Sequence, residues 1–579
     1  MMQGRIWTRG AGALAACIAA LALVGAPALA DEKALLERLD QQAKQIEELR
    51  KKLETLGKEP AKNPYISDAA AEKERINKQI DSYLKEKDAK KKADDKLKAD
   101  AREAEGYEVG KQTSFGGKWL NNQYWFETED RSFRLHLGGR TQIDQVWVTQ
   151  NQKITGLRGP GANAASPLSV AGIGRNDDAF AFRRARFAME GTFWEVFDFN
   201  CEYDFFNTQR FDFRQNTGTV ADRVQVENVP VPTDLWVTWT KIPLIGNVRV
   251  GNQKPWNSFE HLTSSRFLDF LERSSAFDAF VENGNNGFLP GISTFNTYMD
   301  DRVFAGIGAY RPNFRNIYGN NVGDGELQVT GRIAATPIYA DNGRCMVHAG
   351  VSYTHSTADD GVLRYRARSQ LRNGSAVLHP TLAIVQLQGN DQNIVVPEFA
   401  MNWGPFNMSA DYYFATTGQR AGQAFQILGN QTANLPAGGR GTLFYHGGYV
   451  TVGYFLTGEH RGYNMKVKSW DRQYVNETAF LVDGPNGVEF GRGAVEVLAR
   501  FSHLDLSDKG INGGRLNAAT FGINWFLNPN AKIQLNYDIG YRDATQLALT
   551  GAPGSVAPGG FSSRDGVFQG LGTRLAFDW

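Results

Sequence analysis

The feature that most constrains this chain is an alternation of apolar and polar residues that recurs from Phe133 to the last residue. In the stretch 532–539, for example, Lys, Gln, Asn and Asp alternate with Ile, Leu, Tyr and Ile. Successive side chains of a β-strand point to opposite faces, and about ten tilted residues cross a bilayer. The pattern therefore predicts a transmembrane β-barrel, an all-β fold with a polar interior and an apolar exterior.

Composition excludes several other classes. After Leu29 none of the apolar runs in the 579 residues approaches the roughly 20 residues that a membrane helix needs. The formal net charge of +1, from 63 basic and 62 acidic residues, argues against a nucleic-acid partner. The sequence contains no phosphate-binding loop, nucleophile elbow or Cys/His metal spacing. We therefore expect a protein that is not an enzyme and that uses no cofactor or metal.

Residues 1–30 resemble a secretory signal peptide. Arg5 and Arg9 precede an apolar run from Ala11 to Leu23, and Ala28-Leu29-Ala30 forms a cleavage site of small residues. We expect cleavage before Asp31, so that the mature chain leaves the cytoplasm.

Residues 31–110 include 19 basic and 20 acidic residues, a composition that indicates a helical arm. Apolar residues in 31–58 follow the a and d positions of a coiled coil, with one polar d position. Either this seam drives self-association or the helix lies on the barrel, and we favour self-association. Residues 59–110 form a charged helical spacer and 111–131 a linker. The predicted oligomerisation residues are Leu35, Leu39, Gln42, Ile46, Leu49, Leu53 and Leu56.

Residues 132–579 contain sixteen candidate strands, an even number as bacterial barrels require. Short links alternate with long Gly- and Asn-rich ones, which is also typical of barrels. The strands are predicted at 132–148, 180–194, 196–206, 234–242, 247–254, 302–310, 326–336, 344–355, 361–369, 395–403, 406–414, 444–457, 494–505, 516–527, 531–541 and 567–579.

Basic residues of the barrel are mostly arginine, with 33 Arg and 9 Lys against 42 acidic residues in 111–579. The planar guanidinium group of arginine can donate two parallel hydrogen bonds to a phosphate or carboxylate group. Arg364, Arg366 and Arg368 share one face of a predicted strand, either as an anion ladder along the pore or as partners of lumen carboxylates. The strand phase also turns other arginines inward: Arg134, Arg140, Arg184, Arg186, Arg249, Arg332 and Arg574.

Residues 253–278 interrupt the alternation, and 261–273 has a helical pattern. We expect this segment to fold into the lumen and to form a constriction, although an external loop over the barrel mouth is the alternative. In the first case Lys254, Arg266 and Arg273 become candidate filter residues.

Several ordered blocks resemble the phosphate-selective porin O/P family. They are the residues 246–254, 262–265 and 270–273, followed by 455–461, 493–502 and 522–526. The resemblance covers about 130–579 and implies a sixteen-stranded, trimeric outer-membrane channel with a basic constriction. The sequence departs from the family after Arg368, where Ser369-Gln370 replaces the usual Pro-Glu, and in its long arm.

The final residues Leu575, Phe577 and Trp579 share an outward face and resemble the assembly signal of outer-membrane barrels. Together these observations predict an outer-membrane porin of a Gram-negative-type cell that passes small solutes, preferably anions such as phosphate. Its partners would be two further copies of itself, membrane lipid and small anionic solutes. The alternative is a structural anchor whose periplasmic arm links the membrane to the cell wall.

Overall fold

A computed structural model gives the fold. It describes the residues 115–120, 122–151, 154, 178–206, 208–210, 226–228, 230–282, 287–312, 327–357, 362–371, 381–418, 441–484, 487–509, 511–543 and 565–579. The predicted signal peptide, coiled coil and spacer, with all seven predicted oligomerisation residues, lie outside the described residues.

Strands account for most of the described chain. The first thirteen are β1 (Phe115–Leu120), β2 (Gln123–Thr128), β3 (Arg134–Gln150), β4 (Ala179–Phe193), β5 (Phe197–Asp204), β6 (Thr208–Arg210), β7 (Val226–Asn228), β8 (Val231–Ile242), β9 (Gly246–Gln253), β10 (Leu289–Tyr298), β11 (Val303–Tyr310), β12 (Gln328–Ala340) and β13 (Cys345–Thr357). They are followed by β14 (Val362–Arg368), β15 (Thr381–Gln388), β16 (Asp391–Trp403), β17 (Phe406–Gly418), β18 (Leu443–Phe455), β19 (Tyr463–Asn464), β20 (Ser469–Trp470), β21 (Phe480–Gly484), β22 (Gly487–Gly491), β23 (Ala494–Asp508), β24 (Ile511–Asn528), β25 (Ala531–Asp543) and β26 (Gly566–Asp578).

Sixteen of these strands form a closed antiparallel barrel. Its members are β3–β5, β8–β13, β16–β18 and β23–β26, each paired with its neighbours along the chain. The last strand closes the ring on the first, with Phe568 opposite Gln150 and Asp578 opposite Arg140. The hairpin β1–β2 extends the sheet through a short pairing of β2 with β3. The predicted fold class and strand number are confirmed for the barrel.

The predicted strand number is right although two assignments are wrong. The segment 361–369 is not a barrel strand, because β13 pairs directly with β16 and β14 pairs only with β15. The strand β10 was missed, because its inner face carries Phe295, which packs with Trp256 and Phe304 inside the barrel. An apolar residue on the lumen side removes the alternation that identifies a strand.

The barrel strands place polar side chains inside and apolar side chains outside. In β25 the side chains of Lys532, Gln534, Asn536 and Asp538 are buried, whereas those of the intervening apolar residues are exposed. The last strand follows the same rule, and Leu575, Phe577 and Trp579 are exposed on the outer face. An exposed apolar exterior is stable only against lipid, which is why this register suits a membrane.

Three segments between barrel strands fold into the lumen. The constriction loop, residues 254–282 and 287–288, lies between β9 and β10 and contains the short helices α1 (Phe259–Leu262) and α2 (Ser275–Phe280). The lumen hairpin, residues 362–371 and 381–388, contains β14 and β15. The long turn, residues 456–484 and 487–493, lies between β18 and β23 at the end of the barrel where the other connections are short. The prediction that 253–278 folds inward is therefore confirmed.

None of the helices in the described residues is long and apolar enough to cross a membrane.

A hydrophobic cluster inside the barrel holds the lumen hairpin and α2 against the wall. From the hairpin come Leu363, Tyr365 and Val385, and from α2 comes Phe280. The wall contributes buried residues of β16–β18, β23, β24 and β26: Ile394, Val396, Tyr413, Ala415, Leu443, Tyr445, Leu504, Leu506, Leu516, Ala518 and Phe568. Burial of this apolar surface stabilises the inserted position of the hairpin, and it fills one side of the lumen.

Candidate functional site

The constriction loop lies across the lumen and contacts both sides of the wall. Its backbone N–H groups at Glu260 and Leu271 donate to Asp411 of β17 (2.9 Å) and to Asn536 of β25 (3.1 Å). Wall side chains donate in return to the carbonyl groups of the loop, as Lys532 does to Leu268 (2.8 Å) and Arg574 does to Leu271 (2.7 Å).

These contacts explain why the predicted helix over 261–273 is wrong. An α-helix needs its carbonyl oxygens for its own backbone hydrogen bonds. Here the carbonyl oxygens of residues 267–269, 271 and 272 accept from wall or long-turn side chains instead, and the loop runs through turns and bends between α1 and α2. The donors are Arg461, Lys532, Gln534, Asn524, Arg574 and Arg500.

One group of lumen arginines is neutralised by carboxylates of neighbouring strands. Arg186 of β4 contacts Asp204 (2.8 Å) and Glu202 (2.9 Å) of β5, and Arg140 of β3 also donates to Glu202. Arg140 reaches the constriction loop as well, at the hydroxyl group of Ser265 (2.7 Å). These arginines are buried and paired, so they contribute little net charge, and Arg140 also holds the loop to the wall.

A second group surrounds Glu272 of the constriction loop. Arg183 makes a bidentate contact with this carboxylate (2.6 and 3.1 Å), and Arg184 lies 3.8 Å from it. Both arginines face inward because the pairing of β3 with β4 shifts between Gln142 and Ile143. Strict alternation along the strand predicts that Arg183 points toward lipid, so the sequence analysis does not include this residue among the inward arginines. The signal that could have identified this β-bulge is the change of the outward apolar residues from even positions (Phe180, Phe182) to odd positions (Phe187, Met189) along β4.

Three further cations have no carboxylate partner among the described residues within 4.0 Å. Lys254 donates to the carbonyl groups of His261 (2.7 Å) and Thr263 (3.3 Å). Arg273 donates to those of Glu260 (2.9 Å) and Thr263. Backbone carbonyls orient these cations without cancelling their charge.

The third cation is Arg249 of β9. It donates to the hydroxyl group of Thr238 (2.9 Å), and its guanidinium carbon lies 3.8 Å from the ring centre of Trp236 on β8. The two strands approach closely at Gly251, which has a φ of +134° and where an added Cβ would lie 2.3 Å from the carbonyl oxygen of Leu235. Glycine is the residue that tolerates such a position.

Burial lowers the pKa of Lys254 well below its usual range, and the positive charge of Arg273 lowers it further, while Asp234 opposes this effect. Burial also lowers the pKa of Arg273. Both shifts mean that burial makes the charged forms of Lys254 and Arg273 less stable than they are in water. An anion bound beside these side chains would stabilise their charged forms.

A cavity of about 490 Å³ lies between the constriction loop and the wall strands β3, β4, β8 and β9. Seven basic and two acidic side chains line it. The basic residues are Arg140, Arg184, Arg186, Arg249, Lys254, Arg273 and Lys466, and the acidic residues are Asp234 and Asp301. Lys466 comes from the long turn, which the sequence analysis did not expect to enter the lumen.

The structure brings together only part of the predicted anion pathway. Arg140, Arg184, Arg186, Lys254 and Arg273 line the cavity. Arg134 instead lies 3.3 Å from Glu127 of β2, and Arg266 lies 3.9 Å from both Glu202 and Asp578.

The predicted arginine ladder is not on the pore wall. Arg368 contacts Asp278 (2.6 Å) and Glu282 (2.9 Å) of the constriction loop, so it joins two inserted segments. Arg366 is half-buried on the same strand, and the side chain of Arg364 lies outside the described residues. Of the two predicted alternatives, Arg368 follows the second, as a partner of carboxylates, because β14 lies inside the barrel and not in its wall.

A closed barrel of sixteen strands, with an apolar exterior and a loop that narrows a polar lumen, defines an outer-membrane porin. The chain belongs to the phosphate-selective porin O and P family, whose sequence profile matches residues 169–552.

Among its relatives, porin O of Pseudomonas aeruginosa is 22% identical over 438 residues, which cover 71% of this chain and 83% of the relative. An uncharacterized protein of Caulobacter vibrioides is 26% identical over 435 residues, covering 73% and 71% of the two chains. A solved structure of similar fold is the anion-selective porin from Comamonas acidovorans, with 12% identity, a TM-score of 0.40, and 77% of this chain and all (100%) of that chain covered.

Proposed function

We propose that this porin favours anions, and that the cavity beside the constriction loop is where it selects them. The observation that carries the proposal is that Arg249, Lys254 and Arg273 line one cavity and have no described carboxylate within 4.0 Å. An anion that loses part of its hydration at a constriction needs such fixed positive donors.

The arginines that pair with wall carboxylates differ from these three cations, and the difference supports the same proposal. Arg140 and Arg186 face Glu202 and Asp204, so their charges are largely cancelled by the wall. Selectivity then depends on the unpaired cations and on Lys466, which is exposed at the cavity. Small inorganic anions such as phosphate and chloride are the simplest solutes that this arrangement admits.

The test is the reversal potential of the purified protein in planar bilayers under a salt gradient. We expect R249Q, K254Q and K466Q each to lower the anion-to-cation permeability ratio by about twofold, since one unit charge at roughly 8 Å in water contributes about 0.5 kcal/mol. E202Q, which removes a wall carboxylate, should raise the ratio. R515Q is the matched control, because Arg515 pairs with Asp505 outside the cavity lining.

The proposal fails if the parent protein shows no anion preference, or if the three cavity variants keep its reversal potential. The side chain of Lys466 is exposed, so K466Q should not disturb the fold, and an effect of this variant cannot be attributed to misfolding.

We further propose that the mature protein is a homotrimer, with the arm 31–110 in the periplasm. The a/d pattern of 31–58 and the family resemblance support this assembly. Contact of the arm with the cell wall would show as retention of the full-length protein on isolated sacculi that is lost when residues 31–110 are deleted.

A further inference from the structure

The cavity beside the constriction loop has two walls of different chemistry. One wall carries the cations described above. The other wall is apolar, and it brings together aromatic and aliphatic side chains from the constriction loop, β10, β11 and the long turn: Trp256, Leu262, Phe288, Phe295, Phe304 and Val467.

An inorganic anion uses only the first of these walls. Phosphate or chloride interacts with donors and positive charge, and it gains nothing from a ring face. The volume of about 490 Å³ falls within the range of about 300–1,000 Å³ that is usual for pockets that bind small organic molecules. The site is therefore larger and more apolar than an inorganic ion requires.

The two walls meet where cations lie against rings. The guanidinium carbon of Arg249 is 4.9 Å from the ring centre of Phe295, and Lys254 Nζ is 5.7 Å from that of Phe288. A flat group seated on these rings would hold an attached anionic group beside the positive charges.

We propose that this cavity binds organic anions in which a carboxylate or phosphate is attached to a flat, apolar ring. The proposal rests on the anion preference proposed above and adds the class of solute. The rings of Phe288 and Phe295 contact the apolar part of the solute, while Arg249, Lys254 and Arg273 hold its anionic part.

The test compares phenyl phosphate with inorganic phosphate as blockers of chloride current through the full-length porin, at a pH at which both are dianions. The two probes share a headgroup and differ in the ring. We expect phenyl phosphate to reach half-block at a concentration about tenfold lower, which corresponds to partial burial of one ring.

The variants F288L and F295L should reduce this difference to about twofold, because leucine keeps apolar volume but loses the flat face. Block by inorganic phosphate should change much less than block by phenyl phosphate, because it depends on the cations. F521L is the matched control, since Phe521 is exposed on the outer face of β24.

Equal block by the two probes in a protein that still prefers anions would overturn the inference and leave the proposed function standing. A ring preference that both leucine variants retain would place the binding elsewhere and would also overturn it. If neither probe blocks and the parent shows no anion preference, the proposed function fails together with the inference.

Discussion

The contact between Arg368 and the constriction loop gives a prediction that separates a structural arginine from a pore arginine. The side chain of Arg368 is buried on β14 and contacts two carboxylates, Asp278 and Glu282. Its backbone N–H also donates to Asp278 (2.7 Å). Replacing Arg368 by methionine keeps much of the length but removes the charge and three hydrogen bonds of the guanidinium group.

The expected cost follows from this geometry. Loss of one partner of a buried ion pair costs about 3–5 kcal/mol, because the other charge is left without compensation. In R368M two carboxylates, Asp278 and Glu282, lose this partner. Since each 1.4 kcal/mol is a factor of about ten in an equilibrium constant, local opening of the lumen hairpin should rise at least about a hundredfold.

Hydrogen–deuterium exchange of the detergent-solubilised protein measures this opening. Peptides from 362–371 and 381–388 should exchange faster in R368M, whereas peptides from the wall strands should not change. The double variant R368M/D278N also removes one of the two carboxylates that lose their contact with Arg368, and it should recover part of the protection. R515M is the control, because the pair of Arg515 with Asp505 is half-exposed and worth about 0–1 kcal/mol.

The reasoning is refuted if R368M exchanges like the parent in the hairpin. It is also refuted if exchange increases equally throughout the barrel, because the effect would then be global. The first result would mean that the hydrophobic cluster around Tyr365 alone holds the hairpin in place.

Two further predictions concern the arm and the pH dependence of selectivity. Charged residues at two seam positions, I46E and L49E, should lower the temperature at which the oligomer dissociates in detergent, and an unchanged dissociation profile would exclude a role for the arm in assembly. The anion-to-cation permeability ratio should fall as the pH rises, and the fall should come at a lower pH than for an ordinary lysine, because burial and the nearby Arg273 lower the pKa of Lys254. Asp234, Arg140 and Arg186 also act on Lys254, and K254M should reduce the fall, whereas an equal fall in K254M would assign the titration to another group.

Much of the barrel could be predicted from periodicity because its two faces meet different solvents. The strand β25 shows why, since each inward residue is polar and each outward residue is apolar. The prediction failed where this relation breaks down. The strand β10 carries the aromatic residue Phe295 on its inner face. The strand β14 alternates although it contacts no lipid, because Leu363, Tyr365 and Ala367 face a hydrophobic cluster inside the lumen. An alternating sequence indicates that the two faces of a strand lie in different environments. It does not indicate whether the apolar face contacts lipid or a hydrophobic cluster inside the barrel.

The candidate site was harder to predict because charge alone does not distinguish its members. Residues 111–579 contain as many basic as acidic residues, 42 of each, so an anion preference depends on which cations lack a carboxylate neighbour. Pairing across strands, as between Arg186 and Asp204, is set by register and could in principle be anticipated from the strand order. The unpaired cations Lys254 and Arg273 donate instead to backbone carbonyl groups of the constriction loop. Every residue has a backbone carbonyl group, so the sequence does not indicate which of these groups will accept a hydrogen bond from a cation. Only the folded conformation of the loop shows which positive charges remain available to a solute.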